Sequence, residues 1–115
     1  MYQLFGIPNC DTVKKARTFL EKQNIHVNFI DFKKQPPTKT DIKRWQSSLG
    51  DLPVNTNGQT YKKHKDHYEQ LNPADKISFL CENSSMIKRP ILEEEGQVLA
   101  FGFDEQQYKT VLLKK

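Results

Sequence analysis

Cys10 is the residue whose type and position most clearly predict chemistry in this sequence. It follows a short apolar segment, residues 2–7, and precedes a stretch with helical periodicity, residues 11–22. A thiol at the start of a helix faces unpaired backbone N–H groups and the positive end of the helix dipole. Both favour the thiolate, which is the nucleophilic form of cysteine. The position therefore predicts a reactive thiol.

Two charged neighbours act on this thiol in opposite directions. Lys14, one helical turn further on, favours the thiolate, whereas the carboxylate of Asp11 disfavours it. The alternative interpretation is a small, buried, apolar cysteine. Pro8 and Asn9 argue against that alternative, because they place Cys10 on a polar loop.

The site contains a single cysteine. Val13 occupies the place of the second cysteine of a Cys-x-x-Cys motif, so no local disulfide can close. Cys10 would then need either Cys81 or an external thiol such as glutathione to complete a redox cycle. Cys81 falls on the apolar face of a predicted helix, a pattern that favours a core cysteine over a resolving one.

The step from Arg89 to Pro90 is the second candidate for chemistry. A functional interpretation is a cis-proline that lays backbone beside a catalytic thiol, with Arg89 binding an anion. The residues alone favour an edge-strand proline beside a solvated arginine, because only about 5–6% of X–Pro bonds in folded proteins are cis.

Positive charge is spread over the chain, which carries a formal net charge of +4. The run from Lys62 to Lys65, followed by His67, is typical of a solvated helix face, and no nucleic-acid-binding motif accompanies it. His64 and His67 lack an evident third ligand, so we predict no metal site. Direct binding of nucleic acid is not expected either.

Length and composition indicate one small domain of 115 residues with 36% hydrophobic residues. No apolar run approaches the roughly 20 residues needed to span a bilayer. Two distant cysteines do not form a secreted disulfide framework, and no cleavable leader is evident. We therefore expect a cytoplasmic protein that does not contact membranes.

The hydrophobic periodicity predicts an α/β fold with a mixed four-stranded sheet. A strand–helix–strand unit opens the chain, and a strand hairpin followed by a helix closes it, as in a thioredoxin-like fold. We predict a core of residues 1–35 and 86–115 and a helical insert of residues 36–85. We predict further strands over residues 27–32, 86–92 and 98–101. Three helices are predicted between them: one capped by Thr40 and ended by Gly50, one over residues 61–70, and one opened by Asn72 and Pro73. In the last predicted helix, Asp104 and Gln107 form a capping box.

These residues resemble a known family. Residues 6–17 (GIPNCDTVKKAR) are similar to the N-terminal signature of the arsenate reductase ArsC superfamily. Residues 55–58 (NTNG), 87–92 (IKRPIL) and 101–103 (FGF) match it in register. The likeness covers the whole chain and is greatest to the YffB-like branch, with the Spx regulators as a sister branch.

The resemblance implies a nucleophilic role for Cys10 and an anion-binding role for Arg89, beside a cis Pro90. In arsenate reductases of the family the cysteine attacks arsenic, and glutathione and glutaredoxin complete the reduction. This chain departs from their pattern at three positions. Gly6 stands where they carry histidine, Lys14 where they carry arginine, and Asn57 where YffB-type proteins commonly carry arginine.

The sequence therefore predicts a thiol-dependent reductase that uses glutathione as co-substrate and holds no tightly bound cofactor. Cys10 is the predicted nucleophile, and Lys14, Arg89 and Pro90 are the predicted substrate- and anion-binding residues. Glutathione or glutaredoxin is the expected partner. The alternative is an Spx-like regulator that binds the alpha subunit of RNA polymerase.

Overall fold

The computed structural model describes residues 2–113 and divides into two compact units. The first is formed by the chain up to Gln35 and from Arg89 onward, and the second is Pro36–Lys88. The strands are β1 (Tyr2–Gly6), β2 (Val27–Asp31), β3 (Ile91–Glu94) and β4 (Gln97–Phe101). The helices are α1 (Asp11–Lys22), α2 (Lys39–Leu49), α3 (Gln59–Glu69), α4 (Pro73–Glu82) and α5 (Glu105–Leu112), with a 3₁₀ turn at Ser84–Met86.

The first unit is built on a mixed sheet of four strands in the order β2-β1-β3-β4. Strand β1 pairs in parallel with β2, so that Gly6 lies opposite Asp31, and antiparallel with β3. Strands β3 and β4 form an antiparallel hairpin, whose turn at Glu95 and Gly96 has positive φ values of 51° and 80°. The predicted α/β class and the mixed four-stranded sheet are confirmed.

Helix α1 packs on this sheet through the apolar face that its sequence predicts. Val13, Ala16, Phe19 and Leu20 recur at helical spacing and are all buried. Phe19 contacts the ring of Tyr108 from α5 edge-on, with 6.0 Å between the ring centroids. This packing fixes the start of α1, and with it Cys10, relative to the sheet.

The second unit consists of α2, α3, α4 and the 3₁₀ turn. Its buried side chains include Ile42 and Trp45 from α2 and Leu80 from α4. Gly50, in the left-handed region with φ of 87°, ends α2 as predicted. Asn72 caps α4 by accepting a hydrogen bond from the N–H of Asp75, as expected for a helix opened by an Asn-Pro pair.

The cap of helix α2 was predicted at the wrong residue. Helix α2 is capped by Thr38 and not by Thr40: the Thr38 hydroxyl accepts the N–H of Asp41 at 3.1 Å, and the Asp41 carboxylate accepts the N–H of Thr38 at 3.0 Å. This reciprocal pair satisfies two backbone donors, which Thr40 could not do from inside the first turn.

The strand predicted over residues 86–92 begins only at Ile91. Its first part bonds within the second unit instead: Ile87 makes an isolated bridge with Val54, and the N–H of Lys88 donates to the carbonyl of Pro53 at 2.8 Å. Pro90 has no N–H to offer to a ladder. Residues 86–92 therefore form two backbone segments, of which the first belongs to the second unit and the last to the first unit. Smaller differences from the prediction occur at two other helices. Helix α3 begins at Gln59 and not at residue 61. At the start of α5, Asp104 accepts the N–H of Gln107 at 3.1 Å as a simple cap and not as part of the predicted capping box.

Candidate active site at the start of the first helix

Cys10 is the N-cap residue of α1. Strand β1 ends at Gly6, and a tight turn follows, in which the N–H of Cys10 donates to the carbonyl of Ile7 at 3.1 Å. The residue has extended dihedral angles (φ −86°, ψ 128°), and its carbonyl accepts the N–H of Lys14 at 2.9 Å, the first bond of the helix. The side chain is partly exposed, so the thiol lies on the surface of the turn and not in the apolar face of α1.

The environment of Cys10 stabilises its charged form. Burial alone would raise the pKa of the thiol. The backbone N–H groups of Val13 and Thr12, together with the positive guanidinium of Arg89, outweigh burial and hold the pKa of Cys10 below its ordinary value. The neutral Cys10 thiol does not cap the helix through a hydrogen bond, but the N–H groups of Thr12 and Val13 lie close enough to the sulfur to stabilise the thiolate. At a given pH, Cys10 therefore has a larger fraction of thiolate, the nucleophilic form, than an ordinary cysteine.

Arg89 acts directly on this thiol and belongs, with Pro90, to the first unit. The guanidinium of Arg89 acts on Cys10 through both its charge and a side-chain hydrogen bond, and its Nε atom is buried. The Arg89–Pro90 peptide bond is cis, as the family resemblance implied and the residues alone did not favour. Pro90 is buried. The structure thus brings the predicted Arg89 to Cys10, and the predicted Pro90 follows Arg89 through the cis bond.

The strand after the cis-proline is held in place by a chain of hydrogen bonds that the sequence did not reveal. The N–H of Gly102 donates to the carbonyl of Pro90 at 2.7 Å, and the hydroxyl of Tyr108 donates to the carbonyl of Gly102 at 3.1 Å. Gly102 has a φ of 78°, a conformation that favours glycine. Phe103 contacts the Tyr108 ring edge-on at 4.8 Å between centroids. The sequence feature that could have indicated this arrangement is the glycine between two phenylalanines in residues 101–103.

Lys14 has a different environment from the other predicted site residues. Its side chain is exposed and, together with Arg17 and Phe29, lines a groove along β2. It is not among the groups that act most strongly on the pKa of Cys10. The donors that sequence analysis missed are instead the backbone N–H groups of Thr12 and Val13, which any residue type can supply.

The close approach of Gly6 and Val13 explains why this site has no side chain at position 6. A Cβ atom on Gly6 would lie 2.8 Å from a methyl group of Val13, well inside van der Waals contact. Val13 is fully buried and cannot move aside into solvent. A histidine at this position would therefore not fit against Val13 without a shift of the backbone or of Val13.

Cys81 differs from Cys10 in its electrostatics. Burial raises the pKa of the Cys81 thiol, and the nearby carboxylates of Asp41 and Glu82 act in the same direction against the opposing charge of Lys39. Both cysteines are unoxidised. A protonated thiol at neutral pH suits the predicted role of Cys81 as a packing residue.

The remaining sequence motifs belong to the second unit. In residues 55–58, the N–H of Asn55 donates to the carbonyl of Met86 at 2.7 Å, and Gly58 is the N-cap of α3. His64 and His67 both contact the ring of Phe79, each with 5.5 Å between centroids. Within residues 2–113, no three histidine, cysteine or acidic side chains form a group that could hold a metal ion. No helix in that range has the length and apolarity to cross a bilayer.

The sheet order, the cysteine at the start of α1 and the cis-proline before β3 define a thioredoxin-like protein with a cysteine site. The profile of the ArsC family matches residues 5–111, and the chain belongs to that family.

Solved structures agree with this assignment. A protein named YffB is 34% identical, with a TM-score of 0.87 over 97% of this chain and 99% of its own. A protein described as a possible arsenate reductase, from Streptococcus mutans, is 30% identical, with a TM-score of 0.74 over 90% of this chain and 91% of its own.

Sequence relatives extend along nearly the whole chain. An uncharacterized protein of Haemophilus influenzae is 32% identical over 111 residues, covering 95% of this chain and 96% of its own length. The global transcriptional regulator Spx 1 of Oceanobacillus iheyensis is 25% identical over 115 residues, covering 97% of this chain and 87% of its own. The family thus contains proteins described as possible reductases and proteins described as regulators.

Proposed function

We propose that this protein is a thiol-dependent reductase in which Cys10 is the nucleophile and glutathione regenerates it. The single observation that carries the proposal is the lowered pKa of Cys10, which results from two helix N–H groups and Arg89 acting on a partly exposed sulfur. Membership of the ArsC family supports a redox role.

The proposed reaction has two exchange steps. The Cys10 thiolate attacks the glutathione sulfur of a mixed disulfide between glutathione and a substrate thiol. This attack forms Cys10–S–S–glutathione and releases the substrate as a thiolate that takes up a proton. A second glutathione thiolate then attacks the glutathione sulfur of that adduct. This step releases oxidised glutathione and returns the Cys10 thiolate. The net reaction consumes one free glutathione thiol: the mixed disulfide and glutathione become the reduced substrate thiol and oxidised glutathione.

An external thiol is needed because the chain offers no local alternative. Val13 occupies the position from which a second cysteine would attack the adduct, and its side chain is fully buried. Arg89 favours each step by stabilising the sulfur that carries negative charge, both before attack and on release.

Sulfur is a better-matched electrophile than arsenate for this site. A doubly charged oxyanion calls for several charged donors in a fixed arrangement. Arg89 supplies one such donor at Cys10, Gly6 supplies no side chain, and Lys14 is exposed along β2. A disulfide carries no charge and needs only an accessible thiolate.

The test is turnover of a glutathionylated peptide with reduced glutathione, followed through the oxidised glutathione formed. Wild-type protein is expected to accelerate the reaction, Cys10→Ser to abolish the acceleration, and Cys81→Ser to retain it. At a pH low enough to keep the thiol protonated, Cys10→Ser should keep the thermal stability of the wild type, because the side chain lies at a helix start and not in the core. Loss of turnover in Cys81→Ser, or none in the wild type, would contradict the proposal.

The likeness to the Spx regulators supports a second candidate, a regulator that binds the alpha subunit of RNA polymerase. That branch often carries a Cys-x-x-Cys switch, which Val13 removes here. A pull-down with the purified alpha subunit separates the two functions. Retention that survives Cys10→Ser, together with an absence of turnover, would favour the regulator.

A further inference from the structure

Strand β2 presents unpaired backbone at one edge of the sheet. It is the first strand in the order β2-β1-β3-β4, and among the described residues only β1 pairs with it. The N–H of Phe32 donates to the carbonyl of Gly6 at 2.9 Å, so the alternation along the strand turns Asn28 and Ile30 towards β1. The N–H and C=O groups of Val27 and Phe29 then face away from the sheet.

A positively charged groove runs beside this edge, between β2 and the outer face of α1. Its volume is roughly 760 Å³. The charged and aromatic side chains that line it are those of Lys14, Arg17, Glu21, His26 and Phe29. The guanidinium of Arg17 lies 4.3 Å from the centroid of the Phe29 ring, which holds this charge beside the strand. Two permanent positive charges thus face the one carboxylate of Glu21.

We propose that the groove binds an extended acidic segment of a partner protein, which adds to β2 as a further strand. The free edge of β2 supplies backbone hydrogen bonds, which an extended peptide can satisfy and a small anion cannot. Lys14 and Arg17 select acidic side chains by charge. The carboxylate of Asp31, at the end of β2, already accepts the N–H of Lys33 at 2.8 Å, so its charge is partly compensated.

Phe29 and Val27 explain which peptide would fit. Both side chains are partly buried and pack against the core formed with Leu4 and Leu20, so the groove has an apolar floor. A docked strand alternates its side chains between two faces. Acidic residues at every second position would place their charges on the α1 face of the sheet, near Lys14 and Arg17. The intervening valines would lie on the opposite face, where they favour the extended conformation.

The probe is a fluorescein-labelled peptide with three Glu-Val repeats and blocked ends, titrated against the full chain by anisotropy. The control peptide has Gln-Val repeats. Arg17→Gln and Lys14→Gln should each weaken binding of the acidic peptide about two- to fivefold, as expected for exposed ion pairs. Lys62→Gln, a charge loss on an exposed position of α3, is the matched control and should leave binding unchanged.

Hydrogen exchange followed by NMR tests the strand addition itself. The amide of Phe29 should become protected when the acidic peptide binds, whereas that of Ile30 is already protected by β1. The proposal is overturned if the acidic peptide does not bind at millimolar concentration, or if the glutamine peptide binds equally well. It is also overturned if the Phe29 amide stays unprotected, if inorganic phosphate competes at equal concentration, or if the protein dimerises through this edge.

Discussion

Replacement of Arg89 by glutamine should change the reactivity of Cys10 in a pH-dependent way. The guanidinium acts on the thiol through its charge and a hydrogen bond, while the N–H groups of Thr12 and Val13 remain in the variant. The pKa of Cys10 therefore rises in Arg89→Gln, because burial is opposed by fewer groups.

The size of the effect follows from typical energies. A hydrogen bond to a charged group contributes about 1.5–3 kcal/mol, and the partial exposure of Arg89 reduces this to about 1 kcal/mol. Below the pKa of the thiol, that energy lowers the thiolate population about fivefold, since about 1.4 kcal/mol corresponds to tenfold. A thiolate of higher pKa is also intrinsically more nucleophilic, with a Brønsted coefficient of about 0.4–0.5.

The two effects together predict a crossover. At pH values below the pKa of the thiol, Arg89→Gln should react about two- to threefold more slowly than wild type. At high pH, where both thiols are ionised, it should react about twofold faster. The assay is the rate of alkylation by iodoacetamide, a neutral reagent, across the pH range. Lys88→Gln, the neighbouring exposed charge loss, is the matched control and should follow the wild-type curve.

Two results would exclude an effect of Arg89 on the ionisation of Cys10. If Arg89→Gln is slower by the same factor at every pH, the arginine shapes access to the thiol and not its ionisation. If the curves coincide, the guanidinium does not act on Cys10 at all.

Three further predictions concern the turn around Cys10. Gly6→Ala should lower the free energy of unfolding, measured by denaturant titration, by about 1–3 kcal/mol, because its Cβ would lie 2.8 Å from a methyl group of Val13. The loss should be smaller in a Val13→Ala background. An equal loss in both backgrounds would show that the clash is not its cause. Val13→Cys should allow Cys10 to close a local disulfide, so that mild oxidation reduces the free thiols of the variant from three to one. Three free thiols after oxidation would contradict the turn geometry. Because the pKa of Cys10 is lowered in the folded protein, the unfolded chain binds more protons at pH values between the folded and the unfolded pKa of this thiol. The stability of the wild type relative to Cys10→Ser should therefore increase as pH rises towards about 8.5, and this gain should be lost as pH falls through the folded pKa. A stability difference that does not depend on pH would contradict the lowered pKa.

The local pattern of the sequence was sufficient for the elements that form by burying one face. Val13, Ala16, Phe19 and Leu20 define α1, and a cysteine at its start was recognisable from the Pro-Asn turn before it. Helix caps and strand boundaries were harder to predict from the sequence where two nearby residues could each serve. Thr38 prevailed over Thr40 because only Thr38 stands three residues before Asp41.

The rest of the site depends on tertiary structure. The residues alone favoured a solvated Arg89, and only the family resemblance placed it near Cys10, because the two are far apart in sequence. Lys14 is close to Cys10 in sequence, yet its side chain lines the groove along β2. The N–H donors of Thr12 and Val13 leave no trace in residue type. The support from Gly102 and Tyr108 depends on how β4 and α5 meet the cis-proline segment.

The proposed function requires that Cys10 is a thiolate nucleophile that exchanges with glutathione. The most direct measurement is the intact mass of the reduced protein after brief incubation with oxidised glutathione near neutral pH, followed by peptide mapping. The expected result is one added glutathionyl group, located on Cys10 and removed by excess reduced glutathione, with Cys81 unmodified. No adduct, or an adduct on Cys81 in preference to Cys10, would contradict the account.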